Sequence, residues 1–146
     1  PGGIWEAVGG IDAAGAGTVV GVVDTGIAPE NPAFAGGPLG TTPGSEPYLD
    51  GNTVVFAKAD GNLFKSTRVT GEEWTNDAYS TKLIGGKYFN AGAAAAGFDF
   101  GPDHISPRDA DGHGSHTAST AAGMVTATSV EPSTSIGETQ PPRTNQ

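Results

Sequence analysis

The most constraining stretch of the sequence is a run of small aliphatic residues that ends in an acid. Residues 18–24 read TVVGVVD and contain four valines in seven positions. A nearly continuous apolar run of this length is typical of a strand that is buried on both faces of a parallel sheet. Because helices cover both faces of such a sheet, the segment predicts an α/β fold.

Asp24 stands at the end of this predicted strand and is followed by Thr25 and Gly26. Open α/β sheets place their chemistry at the carboxyl ends of their strands, so this carboxylate is a candidate site residue. Taken alone, an Asp in this position is more commonly structural. A second group that complements it is needed before a catalytic interpretation is favoured.

A second informative stretch, residues 109–123, reads DADGHGSHTASTAAG. Its acidic residues and glycines suit a turn that leads into a helix, with Asp109 or Asp111 as the N-cap. The small residues that follow predict a helix over residues 112–124 that packs closely against the sheet. The alanines expected to face inward are Ala118, Ala121 and Ala122.

His113 falls in the first turn of that predicted helix. The positive end of the helix dipole disfavours a further positive charge, so we expect a neutral imidazole that is able to accept a proton. A lone histidine is more often structural than catalytic. However, an Asp at a strand end followed along the chain by a His at a helix start gives the first two members of an Asp…His…Ser triad.

Together these two segments resemble the subtilisin-like serine proteases. Residues 19–26 look like the Asp motif of that family, and residues 113–123 look like its His motif, usually His-Gly-Thr-His-x-Ala. Ser115 replaces the usual Thr and keeps the hydroxyl. The closer likeness is to the branch of plant cucumisin-like enzymes and their bacterial relatives. It extends to residues 4–6, 26–32, 82–90 and 117–123.

The resemblance implies a serine endopeptidase with a subtilisin-like parallel sheet flanked by helices. It assigns His113 as the general base that takes a proton from a serine hydroxyl, and Asp24 as the carboxylate that holds the far ring nitrogen. These roles require a carboxylate oxygen of Asp24 within about 2.6–3.2 Å of Nδ1 of His113. The substrate implied is a protein or peptide, and the location implied is extracellular.

The resemblance leaves the nucleophile unassigned within these 146 residues. Ser115 and Ser119 lie inside the predicted helix, where we expect them to pack and to bond the backbone. We therefore expect residues 1–124 to be the N-terminal part of a peptidase S8 catalytic domain with an incomplete sheet. Such a fragment is expected to be inactive alone and to need the missing C-terminal part of the domain as its partner.

The remaining stretches give weaker signals. Residues 3–8 predict a short helix, and residues 82–89 predict a second strand of the same sheet. Residues 53–59 and 63–69 flank an Asp-Gly-Asn turn and predict a hairpin.

The domain organisation follows from these signals. The hairpin belongs to an expected insertion at about residues 37–79, between the two matching segments. Residues 125–146 are rich in Ser, Thr and Pro without an apolar period, which predicts a disordered tail.

Composition narrows the classes of partner. The net charge of −9 argues against nucleic acid, because phosphate binding needs a basic face. The sequence contains no cysteine, so disulfides and thiolate metal sites are excluded. No apolar run approaches the length needed to cross a membrane. We expect neither a nucleic acid nor a membrane partner.

A metal site is a less favoured interpretation of the histidines. His116 lies three residues after His113 and shares its helix face, and Asp111 or His104 are possible further ligands. No third ligand stands at helical spacing. The calcium-binding Asp of many bacterial subtilisins has Ala33 at its position here. We therefore expect no cofactor and no metal.

Two alternative functions stay open. Asp-Thr-Gly is also the signature of aspartic proteases, in which two carboxylates share a proton, although the sequence contains it only once, at Asp24. The second alternative is a non-catalytic fragment that only binds. Labelling of a serine by a fluorophosphonate separates that alternative from a working serine peptidase.

Overall fold

The computed structural model of the chain describes residues 3–7, 9–10, 13–99, 101 and 105–124. The helices among them are α1 (Gly3–Ala7), α2 (Ala91–Ala95) and α3 (His113–Ala122). The strands are β1 (Tyr48–Asp50), β2 (Thr53–Ala57) and β3 (Leu63–Thr67). Short 3-10 turns cover Pro32–Phe34 and Asn76–Ala78. None of the helices in this described part is long and apolar enough to cross a bilayer.

The three strands form one antiparallel sheet in the order β1-β2-β3. The predicted hairpin is confirmed as β2 and β3, which pair from Thr53 opposite Thr67 to Ala57 opposite Leu63. The turn between them needs Gly61, whose φ of 81° is easily reached only by a residue without a side chain. Strand β1 has only three residues and was not predicted from the sequence.

The best-buried side chains lie on this sheet and near it. Val54 and Val55 are adjacent in β2 and are both almost fully buried, so both faces of that strand are covered. Trp74 is equally buried and meets the ring of Tyr79 edge to face at 5.8 Å between ring centroids. The hydroxyl of Tyr79 accepts from Nε1–H of Trp74 and donates to the carbonyl of Val69.

The structure does not confirm the strands predicted at residues 18–24 and 82–89, because neither segment is a strand here. Three of the four valines are exposed, up to 101% for Val23, whereas Val19 is half-buried, and Phe89 is 87% exposed. A parallel strand takes its ladder hydrogen bonds from strands on either side, and the described residues supply no such neighbours. Both segments instead border one open cavity of about 1,170 Å³. The apolar pattern therefore identifies side chains that are suited to burial, but it does not show which other residues would bury them.

Helix α3 confirms the predicted helix to within two residues at each end. Its buried residues are Gly114, Ser115 and Ala118. Ala121 was expected to face inward but is exposed, and Ala122 is only half-buried. Both line the same cavity, which accounts for their exposure.

At the amino end, α1 confirms the predicted short helix. Val8, the last residue of that prediction, lies outside the described residues, and so does the predicted tail at residues 125–146.

Trp74 gives a test of where the core lies. We expect Trp74→Ala to lower the free energy of unfolding by about 3–5 kcal/mol, or to unfold the chain, because it removes a buried aromatic side chain. Phe89→Ala is the matched control, since it removes an aromatic side chain that is largely exposed, and it should change stability by less than about 0.5 kcal/mol. Urea unfolding followed by circular dichroism measures both. Equal losses in the two variants would contradict this location of the core.

Candidate active site

The central feature of the site is the contact between Asp24 and His113. Asp24 ends the valine-rich segment, and His113 is the first residue of α3. Nδ1 of His113 lies 2.7 Å from Oδ1 of Asp24, although the two residues are 89 positions apart in the chain. The predicted distance is confirmed. The His113 side chain is 64% exposed and that of Asp24 16%, so the carboxylate is the more enclosed partner.

Both carboxylate oxygens of Asp24 accept hydrogen bonds. Oδ1 accepts from the ring of His113 and from the N–H of Thr25 at 2.8 Å. Oδ2 accepts from the hydroxyl of Thr117 at 3.1 Å. These donors, with His113 first among them, lower the pKa of Asp24 below its ordinary value. The carboxylate is therefore ionised, and Nδ1 of His113 must be the donor.

The same contact acts on the imidazole in the opposite direction. The hydrogen bond to Asp24 and the charge of that carboxylate raise the pKa of His113, and the charges of Asp111 and Asp109 add to the effect. The expectation that the helix dipole keeps the ring neutral is not supported, because the pKa of His113 is shifted upward, chiefly by the hydrogen bond to Asp24. With Nδ1–H committed to Asp24, Nε2 is the nitrogen that can exchange a proton.

Neither acid that was predicted as the N-cap of α3 occupies that position. The N-cap residue is Gly112, whose φ of 96° lies in the left-handed region, and it has no side chain to cap with. The two acids serve the helix start from outside. Asp111 accepts from the N–H of His113, and Asp109 accepts from the N–H groups of Gly112 and Ser115.

Asp109 is the residue that sequence reasoning undervalued. Its carboxylate also accepts from the N–H of Asp111 and from the hydroxyls of Thr25 and Ser115. Partial burial raises the pKa of Asp109, but these bonds, with the Ser115 hydroxyl first, outweigh it and hold the pKa far below the usual range. The available signal was an acid that directly follows Ser-Pro-Arg and precedes the helix.

A close backbone approach joins the two halves of the site. A Cβ atom placed on Gly114 would overlap the backbone of Gly26, so the helix start touches the Asp-Thr-Gly loop directly. The N–H of Gly114 donates to the hydroxyl of Thr25 at 2.9 Å. Ile27 pairs with Arg108 in an isolated parallel bridge. The Asp-Thr-Gly loop is therefore bound to the start of α3 through Thr25, and Ile27 just after it is bound to the segment before α3.

Arg108 adds an ionic contact that the sequence analysis did not predict. Its guanidinium bonds both carboxylate oxygens of Glu30, at 2.6 and 3.2 Å. Its Nε lies 3.3 Å from Glu73. Glu30 follows the Asp-Thr-Gly loop and Arg108 precedes Asp109. The ion pair of Glu30 with Arg108 therefore also links the loop to the segment before α3.

The two serines of α3 bond the backbone. Ser115 accepts from the N–H of Ala28, and Ser119 donates to the carbonyl of His116, so the expected backbone bonding of both serines is confirmed. Among the residues that the structure describes, no three His, Cys, Asp or Glu side chains cluster as metal ligands would. His104 lies outside those residues.

Comparisons with known proteins give a consistent result. The Subtilase family model matches residues 15–137. Subtilisin-like protease SBT2.2 of Arabidopsis thaliana is 36% identical over 124 residues, which cover 84% of this chain and 13% of that protein. Subtilisin-like serine-protease S of Lotus japonicus is 36% identical over 115 residues, or 73% of this chain and 12% of that protein. The chain thus spans about an eighth of these relatives. No solved structure matches significantly.

The pKa shifts predict how the pair contributes to stability at different pH. The raised pKa of His113 gives a contribution that is complete below about pH 6.5 and is lost as pH rises through the folded-state pKa. The lowered pKa of Asp24 gives one that is complete above about pH 4 and is lost as pH falls through the folded-state pKa. A double-mutant cycle with Asp24→Asn and His113→Gln should therefore show its largest coupling near pH 5 and a smaller one near pH 9. Equal couplings at the two pH values would refute the ion pair.

Proposed function

The chain belongs to the subtilase family, and on that premise we propose that Asp24 and His113 are the Asp and His of a serine peptidase triad. The observation that carries the proposal is the 2.7 Å contact between Oδ1 of Asp24 and Nδ1 of His113. It joins two segments that each resemble a motif of the family. The reaction proposed for the whole protein is hydrolysis of a peptide bond.

In this mechanism His113 moves the proton and Asp24 holds the ring. Nε2 of His113 takes the proton of a serine hydroxyl as that oxygen attacks the peptide carbonyl, and later gives it to the leaving amine. The carboxylate of Asp24 fixes the Nδ1–H tautomer and stabilises the imidazolium that forms. The raised pKa of His113 and the lowered pKa of Asp24 both support these roles.

We propose that the nucleophile lies outside the 146 residues. Ser115 is buried and bonded to Asp109, and Ser119 bonds the backbone of its own helix, so neither is available to attack a substrate. The matched segment amounts to 13% of the length of SBT2.2, which leaves most of such a protein to supply the serine and the oxyanion donors. We propose that residues 1–124 belong to the catalytic domain, with an insertion at about residues 37–79 and a tail at residues 125–146.

We also propose that the parallel sheet forms in a complete domain. Residues 18–24 and 82–89 carry the apolar side chains that such a sheet buries, and both border the open cavity. Strands contributed by the rest of the domain would pair with these segments and cover their valines. In that arrangement Asp24 would lie at the carboxyl end of a central strand, where α/β sheets place their chemistry.

The substrate class and the location are proposed from the family alone. A peptidase of this family takes a protein or peptide substrate, and we propose an extracellular location by similarity to the plant relatives.

The aspartic-protease alternative is disfavoured by the surroundings of Asp24. Its oxygens bond an imidazole, a backbone N–H and a hydroxyl, and its pKa is lowered. An aspartic pair needs a second carboxylate that shares a proton and raises one pKa. The alternative of a binding-only fragment is tested by the fluorophosphonate labelling experiments that follow.

The first test concerns the chain as it stands. We expect purified residues 1–146 to hydrolyse neither casein nor a chromogenic peptide above background, and to resist labelling by a fluorophosphonate. A base without an adjacent nucleophile gives no acyl transfer. A matched His113→Ala sample is the control. Labelling of the parent that disappears in this variant would place a nucleophile within the chain and overturn the assignment.

The second test supplies the missing parts. Residues 1–124 replace the matching segment of SBT2.2, and fluorophosphonate labelling and peptide turnover are measured. Asp24→Asn should lower kcat by about 10⁴ through the wrong His tautomer, the magnitude known for this substitution in another serine protease. His113→Ala should abolish labelling, whereas Thr120→Ala, an exposed change on the same helix, should not.

These two tests distinguish the serine peptidase triad from a binding-only fragment. Labelling that survives His113→Ala would refute the triad. A chimera that folds but stays unlabelled, beside a labelled SBT2.2, would favour the binding-only fragment.

A further inference from the structure

We propose that Asp109 is the positioning residue of the Asp24–His113 pair, and that its carboxylate sets the contact between them. The inference rests on the proposed function, because it concerns the same two side chains. It is carried by the hydrogen bonds of Asp109, which reach both the Asp-Thr-Gly loop and the start of α3.

The carboxylate of Asp109 is saturated with donors. Oδ1 accepts from Gly112 N–H at 2.8 Å, from Asp111 N–H at 3.1 Å and from the hydroxyl of Thr25 at 2.9 Å. Oδ2 accepts from the N–H and the hydroxyl of Ser115, at 2.8 and 2.6 Å. Bonds to an ionised acceptor are stronger than bonds between neutral groups. One side chain therefore fixes the turn before α3, its first turn and the loop opposite.

The Thr25 hydroxyl connects this cluster to the pair. It donates to Asp109 and accepts from the N–H of Gly114. Thr25 directly follows Asp24, and Gly114 directly follows His113. The bridge is thus one residue removed from each member of the pair. By fixing the orientation of the Thr25 hydroxyl, Asp109 fixes the spacing at which Asp24 meets His113.

A second arm runs through Ser115. Its hydroxyl donates to Asp109 and accepts from the N–H of Ala28 at 2.9 Å. The N–H of Asp109 also donates to the carbonyl of Ile27 at 3.1 Å. The loop after Asp24 is consequently held at three points, Thr25, Ile27 and Ala28. An ordinary N-cap satisfies only N–H groups of its own helix, so these bonds exceed what capping requires.

The titration of His113 in the full 146-residue chain tests the proposal. NMR of the imidazole nitrogens gives the pKa of His113 in the parent, in Asp109→Asn and in Asp111→Asn. Both substitutions remove one negative charge, and the charge of Asp111 acts on His113 more strongly than that of Asp109. A purely electrostatic role thus predicts the larger fall in Asp111→Asn. Positioning predicts the larger fall of the His113 pKa in Asp109→Asn, because the contact with Asp24 loosens.

Thr25 provides a second, independent pair of variants. Thr25→Val removes the bridging hydroxyl at nearly constant shape and should also lower the pKa of His113, whereas Thr25→Ser keeps the hydroxyl and should preserve the parental pKa. Circular dichroism and tryptophan fluorescence, to which buried Trp74 contributes, verify that each variant is folded. If Asp109→Asn does not fold, the Thr25 pair decides.

The proposal is overturned if folded Asp109→Asn lowers the pKa of His113 no more than Asp111→Asn does, or if Thr25→Val matches Thr25→Ser. These results leave the triad assignment intact. A parent chain in which the pKa of His113 is not raised, and does not respond to Asp24→Asn, would instead remove the pair itself and with it the proposed function.

Discussion

The site depends on the close approach of the Asp-Thr-Gly loop to the start of α3. Bringing together segments 89 positions apart costs about 4 kcal/mol in loop entropy beyond a constant term. A single neutral hydrogen bond contributes only about 1 kcal/mol, so one contact does not hold the loop closed. The approach persists because Gly114 leaves room for the backbone of Gly26, and because several bonds to the Asp109 carboxylate act at the same place.

The features that the sequence predicted well are those with local or chemical signals. The small residues of α3, the Asp-Gly-Asn turn and the acid at the end of the valine run each carry their signal within a few residues. The contact of Asp24 with His113 was predicted from the resemblance of two short segments to the family's motifs, since the implied general base needs a group that orients its far nitrogen. Such requirements hold whether or not the surrounding sheet is complete, which explains why the pair is present here.

The features that the sequence missed depend on partners. Residues 18–24 have the composition of a buried strand, but a parallel strand exists only through hydrogen bonds to its neighbours. Ala121 was expected to pack inward, yet its face of α3 borders the cavity that those neighbours would cover. The role of Asp109 was missed for a related reason. An acid before a helix suggests a cap, whereas its bonds to Thr25 and Ser115 emerge only when distant segments meet.

The protonation state of His113 affects both the strength of its contact with Asp24 and its ability to accept a proton. The contact is strongest when His113 is protonated, because the imidazolium then faces the ionised Asp24. In the proposed triad the general base must start neutral, so the state that best stabilises the contact is not the state that would accept the serine proton. The conflict disappears in the transition state, where the proton has moved onto Nε2 and the imidazolium regains the full attraction of Asp24. In the proposed triad, the interaction that holds the loop to the helix would therefore also lower the barrier, provided that the distance is fixed beforehand, and fixing that distance is the role that we propose for the Asp109 carboxylate.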